Sequence, residues 1–446
     1  MRFLVCLAML VLAAPSAPAQ PAPTPIDAET RNAAIADVGD LIAENYYDAG
    51  RGAAIAEELT AFARSPQAAG IDTGQGLATA LAEFLRERDR HFNAAWRGPE
   101  FIARVQAQWD AEEAAGGEEE EEEDSIERWA EYRPQNYGFN DVRVLEGNIG
   151  YMAVTTFNPL IASQSKADAA LSFLADTDAV IIDLRGNRGG EPELVNYLLS
   201  HFTAGGERVH YNTVLQRNAD AEDLYTIADH PMGHRPDVPL YVLVSGESFS
   251  AAEALAYHLQ AMGRATVVGE VTGGGANAGR IFLAPAGLIV FIPDTTGRSP
   301  FTGGNWDRTG VQPDIEVEAG AALERARVEA LTRQVSGVAI EGPQAMQSAY
   351  QLALAQAEAG RWVPTPAELE ACTGQYNGGR VWLEDGQLRY QGSNNVLALT
   401  PFAPGVFHFP DNDTVQVHFP GYRSGRASAM RQAYPSGDFF DRERVD

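Results

Sequence analysis

Three short apolar runs, Ala179–Leu184, Leu240–Val244 and Ala265–Val268, constrain this chain more than any other feature. Runs of this length, rich in Val, Ile and Leu, predict strands buried on both faces, as in parallel sheets covered by helices. Helical stretches lie between and around them, at Ala162–Leu174, Glu193–Phe202 and Ser250–Met262. The alternation predicts an α/β core over residues 141–325, a central mixed β-sheet with right-handed crossover helices. Val142–Leu145 and Ile149–Val154, flanking Glu146-Gly147-Asn148, read as a hairpin at its start. A second hairpin, Ile281–Ala284 with Leu288–Ile292, closes it.

The flanks have a different texture. Residues 26–92 follow a three-and-four apolar rhythm (Ile35, Val38, Leu41, Ile42; Leu77, Leu81, Phe84, Leu85), which predicts an N-terminal helical domain. Residues 93–140 read as a linker with an acidic insert, Glu118–Glu123, that lacks the alternating ligands and turn glycine of a calcium loop. A helical linker is expected over 326–363. Short alternating segments such as Val381-Trp382-Leu383 and Val415-Gln416-Val417 predict a small C-terminal antiparallel β-domain over 364–446. Residues 1–19 have the form of a signal peptide: Arg2, an apolar run from Phe3 to Ala14, and the small residues Ala17-Pro18-Ala19. A periplasmic or secreted location is expected, with no membrane span in the mature chain.

Composition removes several function classes. A net charge of −28 argues against nucleic acid and anionic membrane surfaces as partners. Past the leader, Cys372 is the sole cysteine, so neither an internal disulfide nor a cysteine-rich metal site is expected. His201, His210, His230 and His234 lack metal-ligand spacing, and no metal or organic cofactor is expected. Gly269–Gly275 lacks the Gly-Lys-Ser/Thr of a phosphate loop.

Two loops follow predicted core strands at the edge where open α/β sheets bind ligands. One is Gly186-Asn187-Arg188-Gly189-Gly190. The other, Ser245–Ser250, runs into the helix that starts Ala251-Ala252-Glu253. A serine there has helix N-terminal amides beside its oxygen, a place to hold an oxyanion. Taken alone, Ser250-Ala251-Ala252-Glu253 is also a plain capping box. His258, about two turns behind Ser250, reads as structural.

Asp183-Leu184-Arg185-Gly186-Asn187-Arg188-Gly189-Gly190, Ser248–Glu253 and Arg264–Glu270 together resemble the C-terminal processing and tricorn-type serine peptidases. Asn305-Trp306-Asp307 with Gly310–Asp314 resembles the closing segment of the branch that includes interphotoreceptor retinoid-binding protein. The resemblance covers about residues 141–320 and implies a crotonase-like or ClpP-like peptidase core with Ser250 as nucleophile. One design in the family uses a lysine base, but that position falls on Gly275, and the sole lysine, Lys166, lies on an earlier helix. The other, tricorn-like design implies His91 of Asp89-Arg90-His91-Phe92 as base. Asp307 stands where relatives carry glutamate, and would orient the imidazolium; alternatively, Arg90 and Asp307 form an ion pair. The amides of Ala251 and Gly190 would form the oxyanion hole, with Gly189, Glu253 and Arg90 in support. The implied function is a serine endopeptidase acting on peptides or unfolded protein. A carrier of hydrophobic ligands and a serine esterase or amidase are the alternatives.

Overall fold

The computed structural model describes residues 23–114, 126–336, 342–359, 362–392, 395–409 and 412–446. The expected leader and the Glu118–Glu123 run lie outside them. Helices α1 (Ala28–Asn45), α2 (Ala49–Ala63), α3 (Pro66–Ala69) and α4 (Gly74–Arg86) form the N-terminal helical unit. Asp27, Asp48, Ser65 and Thr73 cap them in turn, each side chain accepting from a backbone N–H three residues on.

The segment read as a linker carries two elements, strand β1 (Asn93–Trp96) and helix α5 (Pro99–Ala114). The core follows, with β2 (Phe139–Leu145), β3 (Ile149–Val154), α6 (Leu160–Phe173), β4 (Ala179–Asp183) and α7 (Pro192–His201). Next come β5 (His210–Gln216), β6 (Glu222–Tyr225), β7 (Leu240–Val244), α8 (Ala251–Ala261) and β8 (Thr266–Gly269). The hairpin β9 (Asn277–Ala284) and β10 (Leu288–Arg298) precedes β11 (Ile315–Glu316) and α9 (Ala322–Val335).

Six strands form the main sheet in the order β11-β8-β7-β4-β3-β2, parallel except for β2. Period-two alternation explains why its apolar runs are unbroken. Val180 and Ile182 of β4 face one core with α6, α7 and α8, while Ala179 and Ile181 face another with Ala322, Ala326, Ala330 and Leu331 of α9. The first helix of the expected 326–363 linker is thus a layer of the core.

A second sheet, β1-β10-β5-β6 with β9 also on β10, joins the helical unit to this core. Its Ala284, Leu288, Val290 and Ile292 pack against Ile35, Val38, Ile42, Leu81 and Leu85 in one cluster. This contact brings the N-terminal residues to the sheet edge where Ser250 sits.

Beyond α10 (Pro343–Ala359), α11 (Pro366–Cys372) leads into β12 (Gly374–Tyr376), β13 (Gly379–Glu384), β14 (Gln387–Gln391), β15 (Val396–Ala398) and β16 (Thr400–Ala403). The chain ends with β17 (Val406–Phe409), β18 (Asn412–His418), β19 (Ala429–Ala433) and β20 (Phe439–Glu443). All neighbours are antiparallel, and β15 runs on into β16 through Leu399. The last strand returns to the first: Val445 N–H donates to Gln375 O and Asn377 N–H to Glu443 O, each at 2.8 Å. The small β-domain therefore closes into a barrel, a form with no free strand edge. Tyr376, Leu388, Phe407, Val417, Phe419 and Met430 fill it.

Candidate active site

Ser250 sits at the start of α8 with φ 53° and ψ −117°, a region that L-residues seldom adopt. Holding a non-glycine residue there costs roughly 1–3 kcal/mol, so the surroundings must over-determine it. They do so through two loops knitted together. Asn187 is fully buried, with Nδ2 donating to Val154 O at 2.8 Å and Oδ1 accepting from Gly189 N–H at 2.7 Å. Its carbonyl accepts from Phe249 N–H at 3.0 Å. Ser248 Oγ donates to Leu184 O at 2.8 Å and accepts from Ser245 N–H at 3.0 Å.

Glu253 provides the other anchor. It has no exposed surface, and its two oxygens take four donors. Oε2 accepts from Ser250 N–H at 2.8 Å and Gly275 N–H at 2.8 Å; Oε1 accepts from Gly274 N–H at 2.7 Å and from the Thr272 hydroxyl. The capping-box acid thus ties the serine turn to the 272–275 loop.

Gly189 and Gly190 pass directly beside the serine. A Cβ on Gly189 (φ 110°) would stand 2.8 Å from Ser250 Cβ, and one on Gly190 (φ 134°) 2.0 Å from Phe157 O. Only glycine fits either position. Among the described residues, the N–H groups of Gly190 and Ala251 have no protein acceptor, whereas that of Gly189 is taken by Asn187.

His91 arrives from the helical unit. It lies just after α4 and two residues before β1, and β1 is fixed on β10 through Asn93↔Phe291 to Trp96↔Leu288. Phe92 beside it is fully buried. The imidazole packs on the Phe249 ring at 5.1 Å between centroids. Its Nδ1 meets Asp89 Oδ1 at 2.9 Å, and its backbone N–H donates to the same oxygen at 2.9 Å. Nε2 is buried without a hydrogen-bond partner among the described residues, Ser250 included.

The acid that touches His91 is therefore Asp89. Asp307, expected in that role, makes no hydrogen bond to the imidazole among the described residues. Its Oδ1 accepts from Asn277 Nδ2 at 3.2 Å, and Oδ2 lies 3.7 Å from Arg308 Nε. The same Asn277 nitrogen donates to Asp89 Oδ2 at 2.9 Å, and Tyr46 O–H donates to that oxygen at 3.1 Å. Burial pushes the Asp89 carboxyl up, but the hydrogen bonds and charge of His91 outweigh it, and the net shift is downward. Asp307 is raised, by burial first and then by the charge of Asp89. Arg90 does not pair with Asp307; its Nη1 donates to Gly273 O. Its contact is with the loop behind the serine.

Gly275, where the resemblance would set a lysine base, packs against Phe249: a Cβ there would stand 2.2 Å from Cζ of the ring. The aromatic ring thus leaves no room for a side chain at this position. A cavity of about 400 Å³ opens at the ends of β3, β4 and β7, lined by Val154, Thr155, Arg185, Gly186, Ser245 and Gly320. Ser250 and His91 do not line it.

Asp89 was visible in the sequence as part of Asp89-Arg90-His91, but nothing marked it as a ligand of the histidine. Asn187 and Phe249 lie within the two loops singled out in the sequence, but no role could be assigned to them, and Asn277 carried no signal, since what these residues do exists only through contacts remote in sequence.

Residues 148–317 match the family model described as Peptidase family S41. This segment is a peptidase family S41 domain. Over 181 residues the chain is 28% identical to the carboxy-terminal processing protease CtpB of Bacillus subtilis (strain 168), covering 40% of this chain and 36% of that protein. It is 29% identical over 171 residues to the chloroplastic carboxyl-terminal-processing peptidase 3 of Arabidopsis thaliana, covering 38% and 32%. The match thus spans about a third of each relative. Among solved structures, the photosystem II D1 C-terminal processing protease aligns with a TM-score of 0.34 at 22% identity, over 39% of this chain and 43% of that one. Mature CPAF aligns with a TM-score of 0.33 at 16% identity, over 43% and 52%. The S41 domain holds Ser250, the Gly189-Gly190 loop, Glu253 and Asp307, whereas Asp89 and His91 lie outside it, in the helical unit.

Proposed function

We propose that the protein is a serine endopeptidase that cuts exposed, unfolded polypeptide, exported to the periplasm or beyond. The observation that carries this is a strained serine at a helix start, flanked by two amides unpaired among the described residues, with a histidine whose side chain is held by a carboxylate. Ser250 Oγ attacks the scissile carbonyl carbon, and His91 Nε2 takes its proton. The tetrahedral oxyanion is held by the N–H groups of Gly190 and Ala251. Collapse breaks the C–N bond as His91 returns the proton to the leaving amine, and the acyl group remains on Ser250. Water, activated by the same imidazole, then releases it. Asp89 holds Nδ1 and stabilises the transient imidazolium. No step needs a metal or organic cofactor, and export accords with the leader-like residues 1–19. Among the described residues no helix is long and apolar enough to cross a membrane.

The test is cleavage of a fluorescently labelled unfolded protein, with Ser250→Ala and His91→Ala run beside the unaltered chain. Loss of roughly a thousandfold or more in both variants supports the assignment. Activity surviving in either one removes that residue from the mechanism. Hydrolysis of small esters without cleavage of protein would reassign the chemistry to an esterase.

A further inference from the structure

Asp89 and Asp307 come from opposite parts of the molecule and meet across one amide nitrogen. Asn277, the first residue of β9, is 2% exposed, and each hydrogen of its Nδ2 has its own carboxylate, Asp89 Oδ2 at 2.9 Å and Asp307 Oδ1 at 3.2 Å. The orientation follows from the chemistry, because the flipped amide would set its oxygen against two carboxylate oxygens. Asn277 Oδ1 is buried and accepts from no donor among the described residues, and Tyr47 is the side chain against this amide.

We propose that Asn277 is a positioning residue that couples Asp307 to the His91–Asp89 pair, so that two carboxylates set the proton affinity of His91. The proposal rests on the reading of His91 as the base. The two acids lie within roughly 6 Å of each other, the range in which like charges shift one another's ionisation. Asp89 acts on the imidazole by contact, and Asp307 adds a second negative charge one amide further away. Without Asn277 the charges repel in a half-buried site, and Asp307 takes up a proton or turns fully to Arg308. The other groups facing the pair are Tyr46 and Tyr47 at the end of α1. Tyr46 bonds to Asp89, and Tyr47 lies against Asn277 and Asp307. Arg90 is turned away to Gly273 O. Asp307 therefore has a role without touching the histidine.

The experiment compares the full chain with Asn277→Ala, Asp307→Asn and Asp307→Glu, using ¹⁵N-histidine spectra titrated with pH; the His91 signal is identified by its absence in His91→Ala. In Asn277→Ala and in Asp307→Asn the His91 midpoint should fall by about one pH unit, a tenfold loss of proton affinity. Asp307→Glu should restore the unaltered midpoint. The Asn277→Ala/Asp307→Asn double variant should shift no further than either single one, because each removes the same coupling. If both single variants fold, as judged by cooperative melting, and the midpoint stays put, the proposal is overturned. If Asn277→Ala fails to fold, Asp307→Asn decides alone. Labelling of Ser250 by a fluorophosphonate is measured in parallel. No labelling with a moved midpoint would sink the peptidase reading and leave the coupling standing; labelling with an unmoved midpoint would do the reverse.

Discussion

Replacing Glu253 by glutamine tests how far the strained turn at Ser250 depends on a single buried carboxylate. The substitution keeps the shape and changes one acceptor oxygen into an NH₂ group. If that NH₂ takes the Oε2 place, it faces the N–H groups of Ser250 and Gly275, and two buried donors are orphaned. If it takes the Oε1 place, the Thr272 hydroxyl can turn and accept, since it is a donor to Oε1 and an acceptor from Val311 N–H. Gly274 N–H is then orphaned. The second arrangement costs less. One unsatisfied buried donor costs about 1–3 kcal/mol, and the remaining bonds lose their charge assistance, so a loss of about 2–4 kcal/mol is expected. Urea denaturation at pH 7 measures it as a lower midpoint at unchanged slope. Because Ser250 N–H is one of the four donors, fluorophosphonate labelling should also slow by tenfold or more in the folded variant. A variant as stable as the unaltered chain and labelled at the same rate would refute the claim that Glu253 holds the strained turn.

Two other substitutions probe neighbouring features. Gly189→Ala adds a Cβ 2.8 Å from Ser250 Cβ at a φ of 110°, so labelling of Ser250 should fall by roughly a hundredfold, on the scale of a lost oxyanion donor; undiminished labelling would show that the loop does not abut the serine in solution. His258, 2% exposed among Tyr211, Tyr257 and Trp306, has no partner for Nδ1 among the described residues, and burial depresses it from 6.5 to about 3. The unfolded chain then binds a proton that the folded chain refuses, so its contribution is fully present above pH 6.5 and is lost as pH falls. Between pH 7 and pH 5 this amounts to about 2 kcal/mol, which His258→Phe should retain in urea titrations at the two pH values. An unchanged pH dependence would mean that His258 is protonated or solvated in the fold.

The strands Ala179–Asp183, Leu240–Val244 and Thr266–Gly269 were legible because burial on both faces leaves an unbroken apolar run, and the hairpins because their turns require particular residues. The helices of the N-terminal unit were legible from their apolar rhythm. Strand β1 was not, being four residues with one buried side chain and stabilised by its pairing with β10. Closure of the C-terminal barrel was equally hidden, since it depends on β20 returning to β12 across the whole domain. Ser250 and His91 were singled out through the resemblance of whole motifs and not by local chemistry, since Ser250-Ala251-Ala252-Glu253 taken alone is also a plain capping box. Which acid meets the histidine could not be read in that way. Asp307 and Asp89 are both carboxylates near a motif, and the choice between them turns on ångströms. The seating of the helical unit on β9 and β10 sets those distances, through a core of Ile, Leu and Val side chains that carries no chemical signal of its own. Local sequence therefore determined which groups are present and which backbone states they prefer. Only tertiary packing decided which of them come within hydrogen-bonding reach, because such contacts depend on the relative placement of segments far apart in the chain.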